Sequence, residues 1–128
     1  MRSGETRRRR WMRMCCVVAA ILLSPAVADA RALHVRESTP AAEAIITGRH
    51  AEYVIRFDGL VDHRASRMHI MQSGRVLQTL VPLGDSAPDV LFASGEAPRP
   101  GKYVLRWRAI SADDGIASNG DIRFSVAP

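Results

Sequence analysis

The stretch Gly101-Lys102-Tyr103-Val104-Leu105-Arg106-Trp107-Arg108-Ala109-Ile110 alternates strictly. Tyr103, Leu105, Trp107 and Ala109 fall on one side, and Val104, Arg106 and Arg108 on the other. A helix would spread both kinds of residue around its axis, whereas a strand sorts them onto two faces. The same period of two recurs elsewhere. Tyr53, Ile55 and Phe57 oppose Val54, Arg56 and Asp58; Met68, Ile70 and Gln72 oppose His69 and Met71; Ile122, Phe124 and Val126 oppose Asp121, Arg123 and Ser125. Half-buried antiparallel strands, with one face to a core and one to water, read this way.

Turn residues punctuate these runs: Gly48, Asp58-Gly59, Ser73-Gly74, Pro82 with Gly84-Asp85, Pro98 to Gly101, and Asn119-Gly120. Their spacing suits about seven short strands. A chain of this kind buries its apolar faces by packing two sheets around one core. The expected fold is therefore all-β, an Ig-like antiparallel β-sandwich of Greek-key type. Trp107 is expected in the core, because a large aromatic at mid-strand between charged neighbours has few other places to go. Internal repeats, low-complexity tracts and interdomain linkers are not evident.

The first thirty residues have a different character. A basic segment at Arg7 to Arg10 and Arg13 precedes an apolar run at residues 14–23, a Ser24-Pro25 break, and Ala28-Asp29-Ala30. This is the pattern of an export signal cut after residue 30, and the apolar run is short for a membrane span. Arg8-Arg9-Arg10-Trp11-Met12-Arg13 also resembles a twin-arginine signal, the alternative being an ordinary Arg-rich leader. Residues 31–128 are expected to form a single domain, with no span left after cleavage.

Charge follows the same division. Six of the 18 basic residues and two of the 13 acidic ones lie in residues 1–30, which leaves 12 against 11 and a net charge of +1. The basic excess belongs mostly to the leader and says little about nucleic-acid binding, and no nucleic-acid partner is expected. Both cysteines, Cys15 and Cys16, lie in the leader, so the expected domain has neither a disulfide nor a thiolate metal site.

Four segments carry a family resemblance. They are His34-Val35-Arg36-Glu37-Ser38-Thr39-Pro40-Ala41, Phe57-Asp58-Gly59-Leu60-Val61, Pro100-Gly101-Lys102-Tyr103 with Trp107 to Gly115, and the final strand at residues 121–126. Together they resemble the CopC-like periplasmic copper-resistance proteins. The resemblance implies a periplasmic copper-binding module in copper resistance or homeostasis, without catalysis, either monomeric or paired with a membrane partner. It also implies a Cu(II) site made from a His at the mature terminus together with an Asp and a His on the late loop.

Carried onto this chain, the loop Asp is Asp114 and the loop His position is Ile116. The terminal His position is Ala32, and His34 matches a second His found near the terminus of some members. The metal ligands expected here are therefore His34 and Asp114, and the copper site is degenerate. Cu(II) favours imidazole, amine and carboxylate in a tetragonal set, and Ile116 cannot ligate. Partners of the copper reading are the copper ion and an inner-membrane copper transport protein or another envelope protein.

Other arrangements compete with this one. His34, His50, His63 and His69 can be four scattered surface imidazoles. Met68, His69 and Met71 offer soft Cu(I) ligands, against the plainer reading of Met68 in the core and the other two on an edge strand. A leader cut one residue late would expose Ala32-Leu33-His34, an amine-plus-third-position-His Cu(II) motif. That cut needs Arg31 at the cleavage site, against the small-residue rule. Asp113-Asp114 reads as a turn rather than a catalytic carboxylate pair. Arg64, Arg67, Arg106 and Arg108 read as solvated charges or as a patch for an acidic partner. No nucleophile–base pair or phosphate-cradling loop is evident. A second function therefore stands beside copper binding: an Ig-like interaction module for another envelope protein, with its metal site lost.

Overall fold

A computed structural model describes residues 32–128. The leader, both cysteines and Arg31 lie outside the described residues. Eight strands follow one another: β1 (Val35–Thr39), β2 (Ala44–Ile46), β3 (His50–Phe57), β4 (Arg67–Gln72), β5 (Arg75–Leu80), β6 (Val90–Glu96), β7 (Gly101–Ile110) and β8 (Ala117–Val126). They form a three-stranded sheet, β1-β3-β6, and a five-stranded sheet, β2-β8-β7-β4-β5. The all-β sandwich expected from the sequence is present, with eight strands rather than about seven. Neighbouring strands pair antiparallel except β2 with β8, which are parallel. Among the described residues no helix is long and apolar enough to cross a membrane.

The core consists of the inward faces that alternation selects. Tyr53, Ile55 and Phe57 of β3 meet Met68 and Ile70 of β4, Leu105, Trp107 and Ala109 of β7, and Ile122 and Phe124 of β8, all at most 7% exposed. Each fully buried large apolar side chain contributes roughly 1.5–3 kcal/mol by leaving water. Aromatic rings tie the two sheets together: Phe57 meets Trp107 edge-on at 5.1 Å between centroids, and Tyr53 meets Phe124 edge-on at 6.1 Å. These geometries favour the ring quadrupoles.

Where the chain passes from β6 in one sheet to β7 in the other, Pro98 and Pro100 stiffen the crossing. There the Tyr103 hydroxyl donates to the Arg99 carbonyl four residues back. This is the tyrosine-corner arrangement of Greek-key sandwiches, which pins the arch between two sheets. Tyr103 also stacks on Phe124 at 5.8 Å, so the corner is anchored in the core.

Three details differ from the pattern read in the sequence. Asn119-Gly120 is not a turn but the interior of β8, directly opposite Arg108 and Trp107. The turn lies earlier, at residues 111–116, where Gly115 takes φ +72°. Gly120 is a glycine for space: a Cβ there would lie 2.5 Å from the Trp107 indole. β4 is also not an edge strand, being held between β7 and β5. Met71, on the same outer face as His69, is only 6% exposed, and Met68 is buried in the core.

Tyr53 is the one buried side chain whose polar atom lacks a hydrogen-bond partner among the described residues. Burial first, and then the neighbouring Tyr103, pushes its phenol up to about 12. A desolvated hydroxyl without a partner costs about 1–3 kcal/mol. Tyr53→Phe is therefore expected to stabilise the protein by about 1 kcal/mol or more, read as a higher urea midpoint at unchanged slope. A lower midpoint would show that the hydroxyl is satisfied in solution.

Candidate metal centre

His34 lies immediately before β1, the outer strand beside β3. Its anchor is Asp58, just past the end of β3. The His34 backbone N–H donates to Asp58 Oδ1 at 2.8 Å, the imidazole Nδ1 meets Asp58 Oδ2 at 2.9 Å, and the Asp58 N–H donates to the His34 carbonyl at 3.0 Å. The two bonds to the carboxylate, led by the one from the His34 backbone and followed by the one from its ring, hold the Asp58 carboxyl below its ordinary pKa. With the carboxylate accepting at Nδ1, the neutral tautomer carries its proton there. Nε2 then keeps its lone pair and has no hydrogen-bond partner among the described residues. Metal-ligating histidines are commonly oriented this way by a carboxylate on the other ring nitrogen. The His34 side chain is 74% exposed, so this lone pair is accessible.

Asp114 sits in the turn between β7 and β8. Its Oδ1 accepts from the Ile116 N–H at 3.0 Å, closing an Asx turn. The same turn is pinned by Ser111 N–H to the Ile116 carbonyl and Gly115 N–H to the Ser111 carbonyl, both at 2.9 Å. Asp113-Asp114 is thus a turn, as its composition suggests. The loop after Asp58 is bonded to the β7–β8 turn. Ala112 N–H donates to the Leu60 carbonyl at 2.9 Å, and Leu33 N–H to Ser118 Oγ at 2.8 Å. His34 and the β7–β8 turn therefore belong to the same end of the sandwich, without a hydrogen bond or ion pair joining their side chains.

Asp58 was not among the site residues read from the sequence. The available signal was its place directly after the Phe57 strand, in a segment that carries the family resemblance. Two of the other histidines are held elsewhere. His63 Nε2 meets the Val90 carbonyl at 2.8 Å, and His69 Nδ1 meets Thr79 Oγ1 at 3.2 Å. Three or more metal-binding side chains do not gather anywhere among the described residues. At this end of the sandwich the described residues offer an oriented imidazole and a separate carboxylate.

A two-sheet sandwich with a tyrosine corner, and with a carboxylate-held histidine just before its first strand, defines an Ig-like β-sandwich module. Comparison with known proteins narrows the class. The CopC domain family model matches residues 35–127, and the chain belongs to that family. CopC from Methylosinus trichosporium OB3b is similar in structure, with a TM-score of 0.65 and 26% identity, over 75% of this chain and 94% of that one. An engineered protein is also similar in fold, with a TM-score of 0.55 and 20% identity, over 75% of this chain and 20% of that one. Among curated proteins none matches.

Proposed function

We propose that this chain is a periplasmic copper-binding protein of the CopC type, acting in copper resistance or homeostasis without catalysis, and that its Cu(II) site is reduced. His34 is its principal ligand through Nε2, Asp58 orients the ring, and Asp114 is the second metal ligand. Membership of the CopC domain family supports the copper reading. The observation that carries the site is the His34–Asp58 pair, because it leaves an exposed imidazole lone pair in a fixed tautomer. Copper here is cargo, received as the free ion and passed to an inner-membrane copper transport protein or another envelope partner. Residues 1–30 act as the export leader in this reading, and residues 31–128 as the copper-binding domain.

The test is a Cu(II) competition titration on the exported protein, read alongside EPR. One ion per chain with nitrogen hyperfine structure is expected. His34→Ala should weaken binding by about tenfold or more, and Asp114→Asn by less, in keeping with the larger contribution of imidazole to Cu(II). An affinity that survives removal of both side chains would refute the assignment.

A second reading is favoured by Ile116, which occupies the turn position of a family ligand, and by the missing three-ligand cluster among the described residues. In it the domain is an Ig-like interaction module for another envelope protein. Copper-independent capture of a defined partner, with no stoichiometric Cu(II) binding, would select it.

A further inference from the structure

The outer face of the five-stranded sheet is charged in an uneven way. Arg67 of β4 stands directly across from Arg108 of β7, and Arg108 directly across from Asn119 of β8. The next row runs His69, Arg106, Asp121. There Arg106 is neutralised by a two-point ion pair with Asp121, at 2.9 and 3.0 Å. Farther along the same face, Arg123 pairs with Glu43 at 3.0 Å. Arg67 and Arg108 have no carboxylate partner among the described residues. Arg67 Nη1 donates to the Ser66 carbonyl at 2.8 Å and to the Arg64 carbonyl, so Nε and Nη2 are the atoms left for an anion.

Like charges directly opposite on neighbouring strands destabilise a sheet. Two guanidiniums in that relation form a site for an anion that can lie between them. These two line an open groove of about 540 Å³ together with His69 and Asn119.

We propose that the Arg67–Arg108 pair is the docking point for an acidic segment of a partner protein, gripping one carboxylate between the two guanidiniums. A planar guanidinium fork matches a carboxylate two bonds at a time. Asn119 adds an amide that can both donate to and accept from a peptide backbone. An anionic lipid surface fits less well, because adhesion to headgroups gains from a broad positive field. Here the two rows beside the pair are neutralised by Asp121 and Glu43, and the next unpaired cation on this face among the described residues, Lys102, stands three rows away along β7. The site does not include His34 and holds whether or not the domain carries copper.

The probe is the N-acetylated, C-amidated tetraglutamate peptide, titrated into protein exported from cells that carry the full-length gene. The Nε–H signals of Arg67 and Arg108 are followed by NMR. Saturable shifts at both are expected, with none from tetralysine. Arg108→Glu should weaken peptide binding by about tenfold or more, as loss of one member of a charge pair does. Its melting temperature should not fall, because the new carboxylate lies opposite Arg67. Arg108→Gln, which adds no charge, should also weaken binding and keeps the comparison readable if the reversal misfolds. The proposal is overturned by absent shifts, by peptide binding that these variants leave unchanged, or by equal competition from inorganic phosphate at the same concentration. Attachment to phosphatidylglycerol vesicles without any response to the peptide would also overturn it and assign the pair to a membrane surface.

Discussion

Trp107→Ala is expected to destabilise the protein by about 3–5 kcal/mol, the usual cost of removing a large buried aromatic. Trp107 is 6% exposed at the middle of β7, with Phe57 of the opposite sheet edge-on against it at 5.1 Å. Removing the indole leaves Phe57 without its partner and opens a void between the sheets. Backbone on both flanks is held by the β4–β7 and β7–β8 ladders, so the void has little room to collapse. Against a total stability of about 5–15 kcal/mol for a domain, this is a large fraction. Urea unfolding should show a much lower midpoint, and a loss below about 1 kcal/mol would show that the core closes over the gap.

Gly120→Ala should cost about 1–3 kcal/mol by adding a methyl where there is no space. The new Cβ would lie 2.5 Å from the indole Cζ2 and 2.6 Å from Cε2. Neither ring nor strand can withdraw easily, because Phe57 backs the ring and the β7–β8 ladder fixes the strand. The cause is testable by a double-mutant cycle. In the Trp107→Leu background the same methyl should cost far less, giving a coupling above about 0.5 kcal/mol between two residues in direct contact. Additive costs would point to backbone effects in β8 instead of the clash.

The sequence disclosed this core well because each inward face repeats every second residue. Tyr53, Ile55, Phe57, Leu105, Trp107, Ile122 and Phe124 are all buried as their alternation requires. β5 was not legible for the opposite reason: Arg75 to Thr79 are exposed on both faces, so neither face is selected for apolar residues. The start of β8 was obscured by Asn119-Gly120, a pair that reads locally as a turn but whose glycine answers to an indole on the next strand. That constraint is long-range and leaves no local mark. The site divides in the same way. His34 and Asp114 could be named from resemblance, whereas Asp58 entered only when folding brought it beside His34. A lone Asp before Gly reads as a turn residue until its partner is known.

The parallel pairing of Ala44, Ile45 and Ile46 with Phe124, Ser125 and Val126 has a consequence for biogenesis. β1 and β2 are consecutive, yet they are stitched to different sheets, and β2 takes its place only against the last strand of the chain. Synthesis delivers β2 well before β8, the strand that receives it. Contacts between such distant parts of a chain carry a closure cost that slows their formation. β2 therefore waits for β8, and a nascent or C-terminally clipped chain lacks its berth, whereas β1, with His34 before it, pairs with nearby β3.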